Sequence, residues 1–403
     1  MKNQIFCNHP ELIIRLISAN EAHVKTTGDW QYIGHHTLEL LRIFSQPKSI
    51  ESAMQELKDK YQGKQDWVDF TSTLMLLKKY QFILSGNEKS SLSSHLETYE
   101  QSVIHTQMLN DSVRTLAFID AIKKNVSAGD VVVEIGTGSG VLAMAAARAG
   151  AKKVYAIEAT AIADTAEALF RENGLENIIT VIRGWSTQIS LPEKCDVLIS
   201  EMLGNDPFAE QVNELTLDAV ERFLKPEFKM VPQNIEVELT LYEAPEQFID
   251  TVIFTSRNTA EWTANYKDNY SKLISLQANT QQIMYLPQKM HSWKALSHAT
   301  SLCSIDMKQN HLPDLNYDID ILCDKDGMLN AIVLHYRLIL AAGIELNIDP
   351  KFADKNNHWT CPVWLINQHL NISSGNRIHI DNQRSHSYSP GAIKINMKDN
   401  HTE

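Results

Sequence analysis

The sequence predicts an α/β protein in three parts: a small winged-helix-like domain, a Rossmann-like doubly wound parallel sheet, and an antiparallel β-barrel-like domain. Three observations predict this. From Asp130 onward, apolar strand-like runs alternate with helical ones: "DVVVEIG", "VLAMAAARAG", "KKVYAIEA", "IADTAEALFRENG", "IITVIRG", "CDVLISEML". Buried parallel strands alternating with helices build a doubly wound sheet. After Pro232 the texture becomes period-two segments with turn residues between them, as in "NIEVELTLYEA" and "CPVWLINQHLNISSGNRIHIDNQ", the pattern of antiparallel strands. Ahead of both, "HPELIIRL" and "EAHVKTT" alternate like the strands of a hairpin, while "HTLELLRIF", "SIESAMQELKDKY" and "WVDFTSTLMLLKKYQFIL" carry apolar residues at helical spacing.

The boundaries follow from composition. Residues 87–95, NEKSSLSSH, are short, polar and serine-rich, which reads as a linker between folded units. Domains are therefore expected at 1–86, 96–232 and 233–403. The stretch 248–293 fits neither the strand nor the helix pattern of its surroundings and reads as an inserted helical excursion. Within the first domain, Pro47 breaks the chain, Ser49 is placed to cap the next helix, and Glu51 lies in that helix's first turn.

Composition narrows the partners. The 403 residues carry a formal net charge of −12, which disfavours nucleic acid and favours cationic partners. Residues 1–86 hold ten Lys/Arg against nine Asp/Glu, without the basic excess a DNA-binding winged helix needs. No run approaches the roughly 18 apolar residues that span a bilayer, and the start lacks a signal-peptide core; a soluble, cytoplasmic protein is expected. Five cysteines, far apart and without a CxxC pair, suit reduced thiols rather than a metal site.

In "VVVEIGTGSG", Gly136, Gly138 and Gly140 follow a run of valines at a strand's carboxyl end, where α/β sheets bind ligands against a helix amino terminus. The spacing is GxGxG, with Val141 where the dinucleotide fingerprint has its third glycine. That departure favours S-adenosylmethionine over a dinucleotide. Glu158, about twenty residues on at the end of the next strand, would accept hydrogen bonds from both ribose hydroxyls of such a ligand.

The fourth strand ends "ISEMLGNDPFAEQ", placing Glu201 in the same crevice and Glu210 beyond a loop containing Gly204 and Pro207. Two facing carboxylates raise one pKa unless a cation sits between them. A planar guanidinium pairs bidentately with carboxylates and meets that need.

"SEMLGNDPFAE" resembles the double-glutamate hairpin of the protein arginine N-methyltransferases. "TYEQSVIHTQMLNDSVRT" resembles that family's amino-terminal helix, with Tyr99, His105, Met108, Asp111 and Arg114 at matching places, and "NHWT" its Thr-His-Trp loop, with His358 and Trp359. The resemblance implies a class I methyltransferase fold with S-adenosylmethionine as cofactor. Arg114 would take the cofactor's methionine carboxylate, Gly136 and Gly138 would line its loop, Glu158 would hold the ribose, and His105 and Met108 would border the cofactor. Glu201 and Glu210 would grip a substrate guanidinium, with Tyr99 and Trp359 beside it, and His358 would pair with Asp111. The excursion would be a dimerisation arm and the protein a homodimer. The chain departs from the family at His95 and Leu96, at Met202 in place of tryptophan, at Asn205 in place of tyrosine, and near Thr187, where a family acid is missing.

The order of elements before residue 86, centred on "YIGHHTLELLRIFSQPKSIESAMQEL", resembles the leader-peptide recognition domain of enzymes that modify ribosomally made peptides, the fold of the pyrroloquinoline-quinone chaperone. Such a domain would hold an extended peptide against its hairpin edge. An arginine-containing precursor peptide is thus the expected substrate. Free arginine or another small guanidine is the alternative, and a catalytically silent peptide-binding partner is the alternative of another class.

Overall fold

The structure, a computed structural model, describes residues 5–9, 12–18, 21–25, 30–45, 48–57, 63–80, 82–85, 102–204, 212–308, 316–383 and 392–398. The chain divides into two compact units, residues 1–101 and 102–403.

In the first unit, β1 (Ile5–Asn8) is followed by β2 (Ile13–Ser18), β3 (Glu21–Lys25) and the two-residue β4 (Gln31–Tyr32). Then come α1 (Thr37–Ile43), β5 (Lys48–Ser49), α2 (Ile50–Leu57), α3 (Lys64–Lys79) and β6 (Ile83–Ser85). The strands form two three-stranded sheets, β5-β1-β6 and β2-β3-β4. Phe6, Leu40, Phe44, Phe70, Leu77 and Ile83 make the core. Ser49 does cap α2: its hydroxyl accepts the amide of Ser52 at 3.0 Å. Helical spacing read through Leu84 stops sooner, because Tyr80 ends α3 and Ile83–Ser85 pairs antiparallel with β1.

The second unit opens with α4 (Ser102–Asn110) and α5 (Ser112–Asn125). The sheet that follows is β7 (Val131–Ile135), β8 (Lys153–Glu158), β9 (Ile179–Arg183), β10 (Cys195–Ser200) and β11 (Leu224–Val231), interleaved with α6 (Val141–Arg148), α7 (Ile162–Glu172) and α8 (Val212–Phe223). Strand order is β11-β10-β7-β8-β9, and every pairing is parallel. All five residues of β7 are buried, as a strand covered on both faces must be. The edge strand β11 was not among the four strands anticipated.

Beyond it lie β12 (Asn234–Glu243), a helical arm of α9 (Glu246–Val252), α10 (Ser256–Tyr266) and α11 (Lys272–Leu276), and the returning β13 (Thr280–Tyr285). A capping box between Thr255 and Asn258 starts α10. The remaining strands are β14 (Lys294–Ala295), β15 (Thr300–Asp306), β16 (Tyr317–Leu322), β17 (Gly327–Ala341), β18 (Ile344–Asn347), β19 (Cys361–Ile372), β20 (Arg377–Gln383) and β21 (Ala392–Lys398). Among the described residues they form a seven-stranded antiparallel sheet, β13-β19-β17-β12-β14 with β15 and β18 attached, and a separate β16-β20-β21 sheet. One continuous core, from Phe118 on α5 to Ile393 on β21, joins the parallel and antiparallel sheets. The antiparallel layer meets the carboxyl end of β10, where the Tyr336 hydroxyl of β17 donates to the Gly204 carbonyl.

Gly140 shows how closely the first turn is built. It begins α6 with φ +84°, and a Cβ there would strike the buried ring of Phe170 on α7. Gly140→Ala combines left-handed strain with overpacking, each costing about 1–2 kcal/mol or more. A lowered thermal midpoint with a loss of at least about 2 kcal/mol is expected; an unchanged midpoint would contradict this packing.

Candidate active site

The cofactor loop is organised by one carboxylate. Glu158, at the end of β8, accepts the amide of Gly138 on Oε2 at 2.9 Å. Its Oε1 accepts the amide and hydroxyl of Thr160 at 2.9 and 2.8 Å. Gly138 sits at φ +52°, and a Cβ there would come within 3.3 Å of His105 on α4. A Cβ on Gly136 would lie 2.9 Å from Met202 Cγ, so the loop is pressed from one side by α4 and from the other by the segment after β10.

Glu134, inside β7, went unremarked in the sequence although it is the lone charge in an apolar run. It is wholly buried, and its pKa is pushed up to about 8, first by burial and then by the charges of Glu158 and Glu201. The Thr137 hydroxyl donates to it and opposes the shift.

A second cluster gathers around α5. Asp111 caps that helix, its Oδ1 accepting the Arg114 amide at 3.1 Å. Its Oδ2 lies 3.0 Å from His358 Nδ1 and also accepts the His358 amide at 3.3 Å. Burial alone would push the Asp111 carboxyl up, but these hydrogen bonds prevail and hold it below its ordinary value. Arg114, buried to 6 % exposure, reaches across to Glu201, with Nη1 2.6 Å from Oε2. Its Nη2 donates to the Met108 carbonyl at 3.1 Å, while its buried Nε has no hydrogen-bond partner among the described residues. The guanidinium also lies 6.0 Å from the centre of the Trp359 ring. Burial raises the Glu201 carboxyl, and the positive Arg114 partly offsets that.

Comparison with known proteins fits this geometry. Residues 114–235 match the ribosomal protein L11 methyltransferase (PrmA) family. The chain is 27 % identical to Arabidopsis thaliana protein arginine N-methyltransferase PRMT10 over 329 residues, covering 75 % of this chain and 83 % of that protein. It is 36 % identical to the Schizosaccharomyces pombe ribosomal protein arginine N-methyltransferase rmt3 over 223 residues, 53 % of this chain and 41 % of that one. Over three quarters of its length the chain is thus similar to a protein arginine N-methyltransferase. In fold it is similar to the Trypanosoma brucei PRMT1 enzyme–prozyme heterotetrameric complex with AdoHcy, with a TM-score of 0.63 at 23 % identity over 76 % of this chain and 96 % of that one.

These comparisons indicate S-adenosylmethionine as the cofactor of this chain. Its residues fit that molecule. The orphaned Nε of Arg114 suits a carboxylate, the glycines leave the loop backbone bare, and Glu158 retains acceptor capacity for hydroxyls. Of the residues singled out in the sequence, Gly136, Gly138, Glu158 and His105 converge at the loop, while Asp111, Arg114, Glu201, His358 and Trp359, with the Met108 carbonyl, form the second cluster. Tyr99 and Glu210, together with His95, Leu96, Asn205 and the expected linker 87–95, lie outside the described residues. Among the described residues no group of three His, Cys, Asp or Glu could hold a metal, and no helix is long and apolar enough to cross a membrane.

Glu134 gives a pH signature. The folded chain keeps this proton up to about pH 8, whereas an ordinary glutamate side chain, as in the unfolded chain, loses it near 4.5. The folded state binds more protons between those values, so the contribution to stability is present in full at the acid end and is lost as pH rises toward about 8. Measured without cofactor, the thermal midpoint of Glu134→Gln relative to the native chain should rise steadily across that window; a constant difference would contradict the shift.

Proposed function

We propose that this enzyme methylates the guanidino group of arginine within a ribosomally made precursor peptide, which its first unit binds. The observation that carries the reading is the Arg114–Glu201 pair. A half-buried acid at the cofactor crevice already holds a planar guanidinium at 2.6 Å, so Glu201 has the shape and charge to hold a substrate's. Residues 102–403 carry 26 Lys/Arg against 37 Asp/Glu, a balance that draws in cationic peptides.

S-adenosylmethionine supplies, when bound, an activated methyl on a sulfonium sulfur that departs as a neutral thioether. A guanidinium is a poor nucleophile because its lone pairs are delocalised. Glu201, with Glu210, would concentrate the positive charge on one nitrogen and leave another free to attack. That nitrogen gives up a proton as its new bond to carbon forms. Glu201, whose carboxyl burial already raises, or the His358–Asp111 pair would take it.

The peptide part of the reading is supported by β2. Ile13, Ile14, Leu16 and Ile17 are all exposed on it, and among the described residues it pairs only with β3. A bare apolar edge of this kind accepts an added strand. The arm presents Tyr266 and Leu276, 61 % and 68 % exposed, which suits contact with a second copy in a homodimer.

Radiolabelled methyl transfer to arginine-containing peptides tests the activity. Glu201→Gln should cut turnover at least about a hundredfold while cofactor affinity stays within a few-fold; retained turnover removes Glu201 from the role. Deleting residues 1–86 should raise the peptide KM strongly and leave turnover of free arginine alone. An unchanged peptide KM would favour free arginine or another small guanidine as the substrate, and absent cofactor binding by calorimetry would favour a silent peptide-binding partner.

A further inference from the structure

The acid segment and the His358 segment come from distant parts of the chain, and one tyrosine touches both. Tyr336 lies on β17, in the middle of the seven-stranded sheet, and is fully buried. Its hydroxyl donates to the Gly204 carbonyl at 3.1 Å, three residues past Glu201. Its ring centre is 5.8 Å from that of Trp359, which in turn is 5.2 Å from the His358 ring. Its backbone carbonyl accepts the Ile348 amide at 3.1 Å, near the root of the loop that leads to His358.

We propose that Tyr336 is a positioning residue for methyl transfer, its hydroxyl fixing the strand end that carries Glu201 against the loop that carries His358 and Trp359. The proposal rests on the reading that Glu201 grips the guanidinium. A buried carbonyl that loses its donor seeks another partner, and here the shift would fall on the residues just behind Glu201. Small displacements of an orienting group act on the chemical step more than on binding. Phenylalanine would keep the ring and remove the hydroxyl that donates to Gly204.

The experiment compares Tyr336→Phe with Tyr242→Phe, a control on the neighbouring β12 whose buried ring packs against Trp293 instead. Methyl transfer to an arginine peptide is measured together with hydrogen–deuterium exchange of residues 198–204. Tyr336→Phe should lower kcat about tenfold, as expected for one lost orienting hydrogen bond, with peptide KM and cofactor affinity within about threefold and faster exchange in 198–204. Tyr242→Phe should alter neither kcat nor that exchange. A kcat for Tyr336→Phe within twofold of the native chain overturns the proposal whatever the exchange shows. If the native chain methylates no arginine peptide, the proposed function fails on its own account. Exchange then decides alone whether Tyr336 fixes the segment, and an unchanged rate overturns that too.

Discussion

A largely buried ion pair between Arg114 and Glu201 sets the terms for the whole crevice. Two charges taken out of water cost several kcal/mol each unless their geometry is close and their other valences are met. At 2.6 Å the geometry is close, yet Arg114 retains an unpartnered buried nitrogen and Glu201 stays raised by burial. The pair is therefore held together without being fully satisfied. A carboxylate arriving at Arg114 and a guanidinium arriving at Glu201 would each complete one half of it. On the proposed reading cofactor and substrate would act on the same pair, and a carboxylate that drew Arg114 away would leave Glu201 with acceptors to fill.

What keeps this pair in register is a set of short ties to other elements. Asp111 caps α5, which orients Arg114, and through its other oxygen it fixes His358. The His358 loop is held by the segment after β13 as well: Gln288 donates to the Asn357 carbonyl at 2.7 Å, and within the loop Asn357 donates to the Trp359 carbonyl at 2.6 Å. The segment just beyond the arm thereby meets the residues beside the site. Because the parallel and antiparallel sheets share one core, these ties are anchored at both ends in packed structure.

Much of this was legible in the sequence where burial dictates composition. The apolar runs of β7 and β10 and the bare glycines after β7 could be read directly, since a strand covered on both faces has few alternatives. The edge strand β11 escaped notice because its middle is solvated: Lys225 and Lys229 pair with Asp196 and Asp130, and Pro226 interrupts the pattern. β6 was read as the tail of a helix because its few apolar residues suit either period until β1 supplies a partner. Asp111 and His358 are 247 positions apart, a distance no local pattern bridges, so only resemblance to a family brought them together. Glu134 was visible as a charge among valines, and its meaning required knowing that both faces of β7 are covered.

The central claim is that one buried pair serves both ligands. Its most direct test is the affinity of an arginine peptide measured by calorimetry with and without saturating S-adenosylhomocysteine. Peptide binding at least about tenfold tighter in the presence of that ligand, with the same factor appearing in the reverse titration, is the predicted result. Equal peptide affinity in the two titrations would show that Arg114 does not govern the availability of Glu201, and the account would fail at its base.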